Sequence, residues 1–264
     1  MDQDAELVLP SVGPAPLPLD TAVAAVLGYA RGRRPLLFRA PNAGAVSWVE
    51  IPAFGYERFD RRPGHPGPPG EPDILTAEGL HGRLDPTSWA AVKTALDDVA
   101  PLADAAHDRA GGRPFSELPD EEFSVLAEPG TVGATLREIW QRCSEATGVS
   151  AKHVVAALHH RRPSLVPLLS RTTRWQLLPH VREGDSGVEA VIHREVRANR
   201  AVLGELQERT AGLLDGDTPL TVLRLHDVLL WLSGTLRLTH AVALGRGSEE
   251  WWSYRAAHPG SRPV

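Results

Sequence analysis

The sequence predicts a mainly α-helical fold with a small β-hairpin near its N-terminus, and three observations predict it. From Asp73 onward, apolar residues recur at helical spacing in one segment after another, too continuously for the alternation of an α/β sheet. Only two short runs, over 36–39 and 46–51, read as strands, with turn chemistry between them. The chain has 264 residues, 42% hydrophobic and 23% charged, the composition of a globular protein with enough length to bury a sizeable core.

Each element follows from its residues. The first eighteen, rich in Pro and small side chains, read as a loose lead-in. Ala, Val and Leu at helical spacing predict a helix over 20–31, with Asp20 as its N-cap. Pro41-Asn42-Ala43-Gly44 turns the hairpin. The stretch 61–72, RRPGHPGPPGEP, holds no regular structure, because its prolines lack a donor and its glycines raise the entropic cost of order; it reads as an exposed connector. Helices are predicted over 86–106, 121–127, 133–146, 150–160, 171–177, 188–214, 219–244 and 249–256. Val188, Val191, Ile192 and Val196 give the 188–214 helix one apolar face, and Thr218-Pro219 marks the start of the next. The domain reading is 1–72 for the N-terminal helix, hairpin and connector, 73–258 for the helical domain, and 259–264 for a frayed tail.

Several functions are excluded or left without support. Cys143 is the only cysteine, so an intramolecular disulfide and a four-cysteine metal or iron–sulfur site are excluded. The chain has no P-loop, GxGxxG, HExxH, CxxC or GxSxG, and neither cofactor nor metal is predicted. His159 and His160 are adjacent, point about 100° apart on a helix, and read as surface histidines. No apolar run has the length of a membrane span, and MDQDAELVLP has no signal-peptide character, so the expected compartment is the cytoplasm. Net charge is -5, which gives no global attraction to nucleic acid. The basic residues are almost all arginine; only Lys93 and Lys152 are lysines, and an amine can act as a nucleophile where a guanidinium cannot.

One segment departs from this background. Between Glu145 and Glu183 there is no acidic residue, while Lys152, Arg161, Arg162, Arg171, Arg174 and Arg182 supply six positive charges on a chain whose remainder carries -11. Two readings stay open: an anion-binding face, or a strip docked on the acidic remainder through Glu183, Asp185 and the acids of 119–122. The segment is also shaped for anions. Two helices flank Thr147-Gly148-Val149-Ser150, where Gly148 lets a ligand approach and the amides of Val149 and Ser150 can donate. Arg161, Arg162, Arg171, Thr172 and Arg174 extend this surface, and Trp175 either stacks on a base or packs as core. Elsewhere, Arg224 and Asp227 are spaced to pair along one helix, with Trp231 one turn further on.

The run GVSAKHVVAALHHRRPSLVPLLSRTTRW resembles the core of the helix–hairpin–helix DNA glycosylase superfamily, of the endonuclease III type. The likeness covers about thirty residues closely and 115–178 loosely. It implies a glycosylase-like helical core, DNA binding and a place in DNA repair. Lys152 falls on the family's lysine, which in bifunctional members attacks the sugar and forms a Schiff base. The family's catalytic aspartate falls on Ser170, eighteen residues later, and Ser150 replaces the second glycine of the bend. A serine brings no charge to an oxocarbenium-like transition state. More widely, GYERFDRR, PDILTAEGL, HHRRPSLVPLL and LRLHDVLLW are similar to stretches of an actinobacterial protein family of unknown function.

The resulting expectation is a nucleic-acid- or nucleotide-binding protein, a diverged base-excision enzyme without the usual aspartate, and a DNA glycosylase/lyase-like hydrolase if active. Its partner would be DNA or a phosphorylated or otherwise anionic small molecule, with no membrane. The alternatives are a small-molecule biosynthetic enzyme and a non-catalytic interaction protein that uses the 61–72 loop as a contact segment. If the glycosylase geometry holds, Ser170 caps the 171–177 helix and faces Lys152 across a cleft.

Overall fold

The computed structural model describes residues 5–39, 46–65, 67–126, 129–214 and 219–258. It is mainly helical, as expected, and begins with a feature the sequence did not suggest. Instead of a loose lead-in, β1 (Glu6–Leu7) pairs antiparallel with β2 (Leu17–Pro18). Leu7 and Leu9 are buried there, and the Val8 amide donates to Asn199 Oδ1 at 2.7 Å while Asn199 Nδ2 donates to the Val8 carbonyl at 2.8 Å. These partners lie far along the chain, so local composition carries no sign of them.

Helix α1 (Leu19–Arg31) is buried almost along its whole length, which its lack of a polar face requires. It starts directly after Pro18, so Asp20 sits inside the first turn and does not cap it; Tyr254 and Arg255 donate to its carboxylate, the latter at 3.1 Å. β3 (Arg33–Arg39) and β4 (Val46–Pro52) form the expected hairpin, in register from Arg33↔Pro52 to Arg39↔Val46. Its 41–44 turn lies outside the described residues. A 3-10 turn, Tyr56–Arg58, leads into the connector. The connector is irregular through Gly70, apart from Pro66, which is not described; its last two residues open α2 (Glu71–His81), a helix missing from the sequence reading.

Asp85 caps α3 (Pro86–Ala110), accepting from the amides of Thr87 and Ser88 at 3.0 Å, and Gly111 ends it at φ +60°. The helix predicted over 121–127 is only a 3-10 turn, Asp120–Phe123, followed by a bridge from Ser124 to Asp185; Ala127 lies outside the described residues. The Glu122 carboxylate accepts the Val132 amide at 2.7 Å, which ties this turn to the residue that opens the next helix. α4 (Val132–Glu145), α5 (Ala151–Arg161) and α6 (Arg171–Leu177) follow the expected positions.

Two long predicted helices are each broken in two. α7 (Val188–Ala198) and α8 (Arg200–Leu214) divide at Asn199, whose side chain is taken by Val8 and the Glu195 carbonyl. α9 (Val222–Gly234) and α10 (Leu238–Arg246) bend by 115° at Leu236, which has φ 58°. Thr221, not Thr218, caps α9, its hydroxyl accepting the Arg224 amide at 3.1 Å; Pro219 lies before the helix and Thr218 outside the described residues. α11 (Glu249–Ala257) completes the described chain.

One hydrophobic core runs from Leu7 to Tyr254 and takes in residues on both sides of position 72. α1 is its axis and lies tightly on α10: a Cβ on Gly28 would sit 1.8 Å from the Ala241 carbonyl oxygen, and one on Gly245 1.8 Å from that of Ala24. Among the described residues no single helix is long and apolar enough to cross a membrane.

Candidate functional site

The basic strip is divided between two environments. Arg174 Nη1 lies 2.7 Å from the buried Glu189 carboxylate, with its guanidinium 4.9 Å above the Trp140 ring. Arg162 reaches Asp104 at 3.0 Å, and Arg161 lies 3.9 Å from Asp73. Half of the strip is therefore docked on acids, but not on those the sequence suggested. Asp185 instead pairs with Arg194 at 3.0 Å and accepts the Arg182 amide at 2.7 Å. The side chains of Lys152, Arg171 and Arg182 are exposed and form no hydrogen bond or ion pair with a described residue.

At the bend between α4 and α5, Gly148 is exposed and left-handed, with φ +78°. The Val149 amide does not point outward as expected; it closes the turn on the Ala146 carbonyl at 3.3 Å. Ser150 Oγ lies 2.8 Å from His153 Nδ1. Lys152 lies close to His81, whose imidazole is pushed down to about 3 by burial first and then by the charges of His153 and Lys152.

Ser170 is the N-cap of α6, as expected. Its hydroxyl accepts the Thr173 amide at 3.2 Å, and its own amide donates to Thr173 Oγ1 at 2.8 Å. No hydrogen bond joins it to Lys152. α5 packs on α2, α3 and α4, whereas α6 packs on α9 and α7. Trp175 is 63% exposed, which removes the core alternative. Arg171, one turn earlier, and Thr172 share its exposure, so the outer side of α6 presents an indole beside a cation and a hydroxyl.

A second group of charges was not anticipated. Arg224, 4% exposed, does not pair with Asp227. Its Nε and Nη2 lie 2.6 and 3.2 Å from the two Asp60 oxygens, and Nη2 also donates to Tyr29 Oη at 2.8 Å. Tyr29 in turn donates to Asp60 at 2.6 Å. Asp227 accepts the Leu168 amide at 2.7 Å, which fixes the proline loop between α5 and α6.

His226, beside Asp227 in sequence, lies 2.9 Å from the Glu195 carboxylate, which also accepts the Ser11 hydroxyl at 2.6 Å and the Ser11 amide at 2.8 Å. Burial opposes charge on His226, but Glu195 and Asp227 outweigh it and raise its pKa to about 9. Burial likewise opposes charge on Glu195, and here His226 and Ser11 prevail, holding the carboxyl below its usual value.

His159 and His160 belong to this interior, not to the surface. The Phe59 ring lies against both, with centroids at 6.2 and 5.6 Å. His159 donates from Nδ1 to the Val166 carbonyl at 2.6 Å, and burial lowers its pKa to about 4. His160 Nε2 lies 2.9 Å from the Arg62 carbonyl. The network thus gathers Asp60 from GYERFDRR, His159 and Leu168 from HHRRPSLVPLL, and Arg224, His226 and Asp227 from LRLHDVLLW. The available signal was the presence of three ionisable residues inside an otherwise leucine-rich helix.

A cavity of about 570 Å³ opens beside the network, lined by Val8, Pro179, Arg182, Val191, Glu195 and Asn199 among others. A smaller one, about 310 Å³, lies under the connector between Pro68, Asp104, Arg161 and Arg162. Cys143 is buried, and burial pushes its thiol up to about 11, which leaves it unreactive. Comparison with family models, curated proteins and solved structures finds no match to this chain.

Proposed function

We propose that the chain is a nucleic-acid- or nucleotide-binding protein built on a glycosylase-like helical core, and that binding, not base excision, is its activity. One observation carries this reading: Trp175 stands 63% exposed on α6 with exposed Arg171 one turn away. Stacking of a base on such a ring contributes about 1–3 kcal/mol, and the neighbouring cation suits a phosphate. The order of parts is consistent with the family likeness: α4, a left-handed glycine at the bend, an exposed Lys152 on α5, a proline loop, and Ser170 at the start of α6. Base excision lacks its main support, because the Ser170 hydroxyl is uncharged and engaged in its cap.

Fluorescence anisotropy with single-stranded oligonucleotides tests this. Trp175→Ala should weaken binding about tenfold or more, in line with the stacking contribution. With only Lys152, Arg171 and Arg182 exposed in the strip, log K should fall with log salt at a slope of roughly -2 for a single strand. No binding at low salt, or equal binding by Trp175→Ala, overturns the proposal. Borohydride trapping on abasic DNA should give no adduct; an adduct abolished by Lys152→Ala would restore the lyase reading.

A small-molecule site is the second reading, favoured by the 570 Å³ cavity, which Arg182 of the basic strip and Arg194 both line. Thermal shift with carboxylated and phosphorylated metabolites, with Arg182→Ala as control, separates it from the first.

A further inference from the structure

The β3–β4 hairpin is out of keeping with the rest of the molecule. Every residue of β3 is exposed, as are the first five of β4, and the two strands pack substantially only on each other. A lone two-stranded ribbon is marginal in water. This one is also apolar on both faces. Leu37 and Val46 share one face with Trp48, which is 69% exposed; Leu36, Phe38 and Val49 occupy the other. We infer that the hairpin is a dimerisation arm, and that its partner is β4 of a second copy of this chain.

The two edges of the ribbon are not equivalent. β3 carries Pro35, which has no amide hydrogen, and three arginines, Arg33, Arg34 and Arg39, the devices that protect an edge from pairing. β4 has no proline before Pro52 and a single charge, Glu50, so its edge is open. Antiparallel pairing of β4 with its copy about Trp48 sets Trp48 opposite Trp48, Ser47 opposite Val49 and Val46 opposite Glu50 in a two-fold contact. The register Leu37↔Trp48 then extends across four strands as one apolar row. Both β3 strands become outermost, roughly 14 Å apart at about 4.8 Å per strand, beyond the Debye length of about 8 Å, so their arginines do not oppose assembly. A lipid partner fits less well, because the open edge would take unpaired amides and carbonyls into hydrocarbon.

Each copy contributes at most the 7 residues of each strand, fewer than the roughly 20–30 a side of a stable interface, so the dimer is weak and reversible. Sedimentation equilibrium from low to high micromolar concentration should show the average mass rising towards two chains. Trp48→Lys should stay at one chain with unchanged circular dichroism. Under mild oxidation Trp48→Cys should form a disulfide-linked dimer, since buried, unreactive Cys143 does not compete. Wild type remaining one chain throughout, or Trp48→Lys dimerising equally, overturns the inference. So does a wild-type monomer that sediments with phosphatidylserine vesicles through Trp48, which would assign the arm to a membrane surface.

Discussion

Arg224 and Asp60 hold opposite charges in the protein interior, 164 residues apart in sequence, and this explains why local spacing misassigned the pair. An arginine three residues before an aspartate on a helix reads as a surface ion pair, and nothing in that spacing reports burial. Removing one partner leaves the other charged and unpaired, so Arg224→Ala should lower unfolding free energy by about 3–5 kcal/mol in urea titrations. Tyr29→Phe, which removes one hydroxyl from the same group, should cost about 1–2 kcal/mol. The histidines set the pH dependence. His226 rises from 6.5 to about 9 on folding, so the stability it confers is complete below pH 6.5 and is lost as pH climbs through 9. His81 and His159, at about 3 and about 4, act in the opposite direction: their contribution is present above 6.5 and fades as pH falls towards those values. Thermal midpoints across pH should therefore decline on both sides of neutrality, and His226→Gln should flatten the alkaline side, while the acid side shifts as well because Glu195 loses the partner that holds its carboxyl low.

At the scale of elements, the helices were legible from periodicity, whereas the breaks between them were not. Asn199 and Leu236 are neither Gly nor Pro; each interrupts a helix through contacts and backbone geometry that the apolar pattern does not record. At the end of α9, the Arg237 amide donates to the Leu232 carbonyl at 2.7 Å and the Leu236 amide to Ser233 at 2.9 Å, a Schellman motif with leucine where glycine is usual. Leu236 is 94% exposed and makes little use of its side chain. Leu236→Gly should thus raise stability by up to about 1 kcal/mol, the left-handed penalty less the added chain entropy, read as a higher thermal midpoint. Gly28 is the opposite case. The Ala241 carbonyl lies where its Cβ would be, and that backbone cannot rotate aside, so Gly28→Ala should separate α1 from α10 at a cost of at least about 3 kcal/mol.

Across the whole molecule, three of the four sequence stretches that stood out converge on α9, Asp60 through Arg224 and the proline loop through Asp227, while the fourth, on α2, packs against α5 instead; single-sequence reasoning does not reach such a topology. Of the expected site, the cap at Ser170 and the exposed cations were legible; the neutralised arginines and the exposed indole depend on which face of each helix the others cover. The N-terminal segment shows how far the integration extends, since Leu7, Leu9 and Ser11 close the core over Glu195. Deleting residues 1–12 should cost about 4 kcal/mol or more, from two buried leucines at about 1.5–3 kcal/mol each together with the exposed carboxylate. The connector is the counterpart. Its two ends are anchored, Asp60 by Arg224 and Asp73 by burial under α5, while a Cβ at Gly64 would meet nothing within 4 Å. With both ends clamped, extra chain between them changes only loop entropy, about 0.6 kcal/mol for each doubling of length. Gly64 is therefore a ready-made port for grafting: an epitope or a fluorescent peptide could be spliced there, and the host would fold around its own core and carry the passenger outside.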